Sequence, residues 1–150
     1  MPQDSQPVSF TTREVSHIVG ASPRRLAYWD KTGLLSPSLG PASGRGSRRL
    51  YSLQDIIELK LLLRLLKSSM SLQRVRASLR FIRERPEPLA SLIIMTDGKT
   101  IYLYQNDNVL VDTLKHGQAI PRIVVQDLIT EVQQKVSESF NGETKGDERK

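Results

Sequence analysis

Arg24-Arg25 and the set Arg45, Arg48, Arg49 are the residues whose types and spacing carry chemistry. A guanidinium presents a planar fork of donors that fits a phosphate, or the acceptor edge of guanine in a DNA major groove. Arg24 and Arg25 follow Ser22-Pro23, a capping residue and a first-turn proline, so they open a helix. Side chains at such an end reach furthest into a groove, and the open N–H groups at Ser22 to Arg24 can meet a phosphate. Arg25 is the candidate for base readout and Arg24 for phosphate, though either chemistry suits both. Tyr28 can offer its hydroxyl to a phosphate or pack against the neighbouring loop. Leu26 and Trp29 share the inward face of the same helix.

The surrounding elements follow from caps and periodicity. Thr11 or Thr12 caps a short helix with Val15, Ile18 and Val19 on one face, and Gly20 ends it. Thr12 is a further candidate contact. The helix from Ser22 closes at Gly33, and two short helices with a Gly-containing joint make a helix-turn-helix. Residues 36–47 are rich in Ser, Gly and Pro and lead into Arg48-Arg49-Leu50-Tyr51, which has the character of a basic wing. Arg45, Arg48 and Arg49 would lie along a DNA backbone or minor groove. Tyr51 suits a contact or the core equally. Ser52 caps an apolar third helix, with Asp55 favouring its N-terminus and Lys60, Arg64 and Lys67 marking its outer stripe. Ser71 caps a fourth, with Leu72, Val75, Leu79 and Ile82 facing inward and Arg76, Arg80 and Arg83 opposite.

Pro86 and Pro88 then break the chain. Asp97-Gly98 between β-prone runs signals a hairpin, and Asn108 to Asp112 reads as a third short strand. An amphipathic helix is expected from about Ile123 to Phe140. Its stripe Val125, Leu128, Ile129, Val132 and Val136 suits a dimer interface or packing onto the hairpin. The expected architecture is mainly α. A domain at 10–85, four helices plus a small wing, precedes a small α+β hairpin-plus-helix module at 90–140. Residues 1–9 and 141–150 are expected to lack structure.

Charge placement points the same way as the arginines. Residues 1–85 hold 15 Lys/Arg against 6 Asp/Glu, and residues 86–150 hold 7 against 10. A strongly basic first half favours a polyanionic partner, nucleic acid before an anionic membrane surface. With no cysteine, disulfides and thiolate metal sites are excluded. His17 and His116 have no ligand spacing around them, so no metal or other cofactor is expected. The chain has no phosphate loop, nucleophile elbow or paired-carboxylate constellation, so an enzyme is not expected. No apolar run is long enough to span a membrane, and a signal peptide is not evident, so a cytoplasmic, nucleoid-associated place is expected.

Residues 10–82 resemble the DNA-binding domain of the MerR family of transcription regulators. The matching pieces are Phe10-Thr-Thr-Arg-Glu-Val, Gly20-Ala-Ser-Pro-Arg-Arg-Leu, Tyr28-Trp-Asp-Lys-Thr-Gly-Leu-Leu-Ser-Pro37, Arg49-Leu-Tyr-Ser-Leu-Gln-Asp and Met70-Ser-Leu-Gln-Arg-Val. The resemblance implies a winged helix-turn-helix and a homodimer on a near-palindromic duplex site. Departures are specific. Ala27 stands where the family usually has a second Arg, Arg48 where its wing usually shows Tyr, and Ser69 where Gly is common. Pro86 and Pro88 interrupt the position of the long coiled-coil helix of family activators, which makes repression by occlusion the expected mode.

The leading expectation is therefore a sequence-specific, double-stranded-DNA-binding transcription regulator. One alternative is an architectural DNA-binding factor resembling phage excisionases. Another is an antitoxin-like adaptor that meets a protein partner through residues 90–140 and binds DNA secondarily.

Overall fold

The computed structural model describes residues 8–40, 49–104 and 122–148, with side chains as far as 139. Arg45, Arg48 and the strand expected at 108–112 lie outside the described residues. Backbone contacts group the residues up to Leu59 with those from Val132 onward, and make Lys60–Glu131 a second unit. That division falls inside two helices rather than at the Pro86–Pro88 break.

In the first unit, β1 (Phe10–Thr11) leads directly into α1 (Thr12–Val19). Thr11 is the cap, and the capping box is complete: the Glu14 N–H donates to the Thr11 hydroxyl, and the Thr11 N–H donates to the Glu14 carboxylate at 2.8 Å. Gly20, at φ 82°, takes the left-handed turn that ends the helix, and its N–H donates to the Ser16 carbonyl. α2 (Pro23–Lys31) begins as expected, with the Arg25 N–H donating to the Ser22 hydroxyl at 3.1 Å. Gly33, at φ 77°, turns the chain out of it. β2 (Leu50–Tyr51) returns antiparallel to β1, pairing Phe10 with Tyr51. A bridge between Gly40 and Leu50 closes the root of the wing. Val15, Ile18, Leu26, Trp29, Leu34 and Tyr51 lie in the core of this unit.

α3 (Leu53–Lys67) starts on a second capping box, in which the Ser52 N–H donates to Asp55 and the Asp55 N–H donates to Ser52. The same Asp55 oxygen accepts from the backbone and hydroxyl of Ser38, each at 2.8 Å. One nearly buried carboxylate thus fixes both the helix start and the chain leaving α2. Its surroundings supply the donors that a buried charge needs.

In the second unit, α3 ends in a Schellman arrangement. The Met70 N–H donates to the Leu65 carbonyl and the Ser69 N–H to that of Leu66, with Ser69 itself at φ 69°. Ser69 is the position where the resemblance led us to expect glycine. A side chain costs on the order of 1 kcal/mol in this left-handed conformation. Ser69→Gly is therefore expected to stabilise the protein by about 0.5–1 kcal/mol, raising the midpoint of a thermal melt by a few degrees. An unchanged or lower midpoint would contradict that reading of the corner.

α4 (Leu72–Arg83) is capped by Ser71. Val75, Ser78, Leu79 and Ile82 face inward. Leu72, expected in that stripe, is 37% exposed, because it opens the helix at the rim of the buried face. A 3-10 turn (Leu89–Ser91) precedes β3 (Ile93–Thr96) and β4 (Ile101–Tyr104), which form the expected antiparallel hairpin. Asp97 shapes its turn by accepting from the N–H groups of Thr100 and Lys99, which hold its carboxyl below the usual carboxylate range. Gly98 is at φ 90°, and a Cβ there would stand 3.0 Å from the Ser68 carbonyl oxygen. The Arg74 guanidinium reaches the Lys99 carbonyl from α4 at 2.9 Å. The hairpin turn is thereby tied to the corner between α3 and α4.

β5 (Arg122–Val124) pairs antiparallel with β3, giving the order β4-β3-β5. This strand replaces the start of the expected helix, and it makes β3 central, with every residue buried. The helix itself, α5, begins at Val125, whose N–H donates to the Leu92 carbonyl. It runs through Glu148, past the end expected at Phe140, so the chain between 141 and 148 is helical rather than unstructured.

Candidate nucleic-acid interface

α2 exposes the side chains expected to make DNA contacts. Its cap hydroxyl is spent on the Arg25 N–H, which fixes the first turn. Arg24, Arg25 and Tyr28 are exposed, and Tyr28 is 55% accessible despite its size. Leu26 and Trp29 are buried, so the division of this helix into an inward and an outward side holds residue by residue. Ser22 is exposed at the helix start, and Thr12 is part-exposed at the start of α1. Ala27 is part-buried and adds no donor to the outward side. The Arg25 guanidinium lies over the Trp29 ring, 4.8 Å from its centroid. That stack gives the long side chain a defined perch instead of a free sweep through solvent.

Arg49, at the root of the wing, is joined to α2. Its Nε donates to the Asp30 carboxylate at 2.7 Å, with the side chains 29% and 15% accessible. The pairing is long-range in sequence, and no local pattern announces it. Of the arginines expected in the wing, Arg49 is the one whose geometry is described.

Tyr51, counted among the candidate contacts though it suited the core equally, belongs to the core. Its side chain is completely buried, packed where β1 and β2 meet, and cannot touch a ligand without unfolding that pair. Burial first, and the Asp30 carboxylate second, push its phenol pKa upward. Thr12 lies beside it, yet among the described residues no partner has hydrogen-bonding geometry to the hydroxyl. A buried hydroxyl without a partner is a net cost. Tyr51→Phe is expected to leave DNA affinity unchanged and to match or exceed the wild type in thermal stability by up to about 1–2 kcal/mol. A large loss of affinity at unchanged stability would restore the contact role.

In the stripe on α5, which suited a dimer interface or packing onto the hairpin, three of the five residues are interior. Val125, Leu128 and Val132 are at most 1% exposed within the chain itself, whereas Ile129 and Val136 are half-buried. The first three serve internal packing. Among the described residues, no group of three or more His, Asp or Glu side chains could hold a metal ion, and no helix is long and apolar enough to cross a membrane.

A capped helix carrying arginines outward, set after a short helix and beside a β-ribbon, defines a helix-turn-helix domain. Residues 10–82 match the family described as MerR HTH family regulatory protein, so this segment belongs to the MerR family. The chain is also similar to an uncharacterized HTH-type transcriptional regulator of Mycobacterium bovis and to two so named from strains of Mycobacterium tuberculosis. Each is 36% identical over 146 residues. The match covers 95% of this chain but 64% of each relative, so the chain spans less than two thirds of their length.

Proposed function

We propose that this protein is a transcription regulator that binds specific double-stranded DNA as a homodimer, with α2 in the major groove. The observation that carries this reading is the outward side of α2. Arg24, Arg25 and Tyr28 project from a pre-formed first turn within a MerR-type domain. Arg25 takes base readout, Arg24 takes phosphate with its side chain and its backbone N–H, and Tyr28 and Thr12 add hydroxyl contacts to the backbone. The wing, with Arg45, Arg48 and Arg49, lies along the adjacent backbone or minor groove. The names of the mycobacterial relatives agree with a regulatory role.

Ile129 and Val136, which keep part of their surface exposed, are the remaining candidates on α5 for contact between two copies. α4 stops at Arg83, ahead of the proline break, which supports repression by occlusion over activation through a long coiled-coil helix. Genomic footprinting of bound sites tests the whole reading. Protection at one or a few promoters is expected. Clustered arrays of sites would favour an architectural factor, and no protection would reject DNA binding as the function.

A further inference from the structure

Asp30 is an anomaly on the DNA-facing side of the protein. It lies in the last turn of α2, where the helix dipole disfavours an acidic group. The other charged residues of α2 are Arg24, Arg25 and Lys31, and a phosphate backbone approaching the helix would be repelled by the carboxylate. The carboxylate is nevertheless held in place. It accepts from the Arg49 Nε at 2.7 Å, with both side chains largely shielded, and both charges act on the buried phenol of Tyr51. Shielding makes such a pair stiffer than an open surface ion pair.

The Arg49 bond engages Nε, the inner donor of the guanidinium. Recognition of a phosphate would use the terminal nitrogens at the far side of the same plane. A carboxylate holding Nε fixes that plane, and with it the root of the wing, against the C-terminal end of α2. We propose that Asp30 is a positioning residue for DNA binding: it holds Arg49 in register with the helix that enters the groove. This rests on the DNA-binding reading above. It adds that a negative charge beside the interface raises affinity.

Two opposing expectations make this testable. By charge alone, Asp30→Asn removes a repulsion from the DNA and should tighten binding. By positioning, it replaces a charge-assisted bond to Arg49 with a weaker amide one and should weaken binding several-fold. The probe is a fluorescently labelled random-sequence duplex titrated with the full chain by anisotropy, with a thermal melt confirming that each variant is folded. Asp30→Asn is expected to bind several-fold more weakly than wild type. In an Arg49→Ala background, the same change should cause no further loss, because the residue it positions is gone. Arg49→Lys offers a second route should Asp30→Asn not fold. It keeps the charge but loses the fork, and it should also weaken binding.

Equal or tighter binding by folded Asp30→Asn would overturn the positioning role while leaving the DNA-binding reading intact. So would unchanged binding by Arg49→Lys if Asp30→Asn does not fold. Failure of the wild type to bind the duplex at all would overturn both.

Discussion

Val132→Asp is expected to prevent folding rather than to separate a dimer. Val132 is 0% exposed, on a helix whose buried side also carries Val125 and Leu128. An unpaired carboxylate there would have to be desolvated without donors, or protonated at a cost. Either loses more than about 4 kcal/mol, which is comparable with the entire stability of a small domain. Circular dichroism should show loss of the cooperative thermal transition or of soluble folded protein. A folded variant with an unchanged melting midpoint would show that the site faces solvent or a second copy, contrary to the packing described. Ile129, on the same helix but half-buried, should tolerate the same substitution far better.

Arg25→Ala should produce the largest loss in recognition. The side chain leaves the first turn of α2, its guanidinium over the Trp29 ring. Two costs are expected and can be separated. Loss of the stack should lower stability by about 0.5–1 kcal/mol, read in a thermal melt. Loss of a bidentate base contact should cost about 1–3 kcal/mol on the target duplex and much less on a random one, so specificity relaxes. Arg24→Ala is the natural control. A phosphate contact should be lost equally on all sequences, and the dependence of log affinity on log salt should flatten by about one unit. Equal losses on target and random duplexes for Arg25→Ala would move Arg25 to the phosphate class and leave base readout without its assigned residue.

The parts of this molecule legible in its sequence are those encoded locally. Ser22, Ser52 and Ser71 each cap the helix that follows, and Gly20 ends α1, because capping geometry involves residues only a few positions apart. Even the departure at Ser69 is local. A residue standing where glycine is usual sits at positive φ, closing a helix. The burial of Trp29 and the exposure of Tyr28 follow from helical spacing alone.

What was not legible depends on distant partners. β5 is a short β-branched run at the head of a helix, and periodicity cannot separate the two over so few residues. The strand exists because β3 has an edge to offer it. Tyr51 is indistinguishable by type from a contact residue until its pairing with Phe10 places it inside. The continuation of α5 beyond Phe140 runs through Asn141-Gly142, residues that local propensity reads as a stop. The Asp30–Arg49 pair joins two elements through the tertiary fold, and neither residue's neighbours reveal it.

On the proposed function, the outward side of α2 reads sequence in duplex DNA. The most direct measurement is the affinity of the wild-type chain for a footprinted duplex against a random duplex of the same length, each titrated over a range of salt. Both affinities should fall as salt rises, because phosphate contacts release counterions. The footprinted duplex should remain tighter by a factor on the order of 10³ or more. Equal affinity for the two duplexes at every salt concentration would contradict the claim.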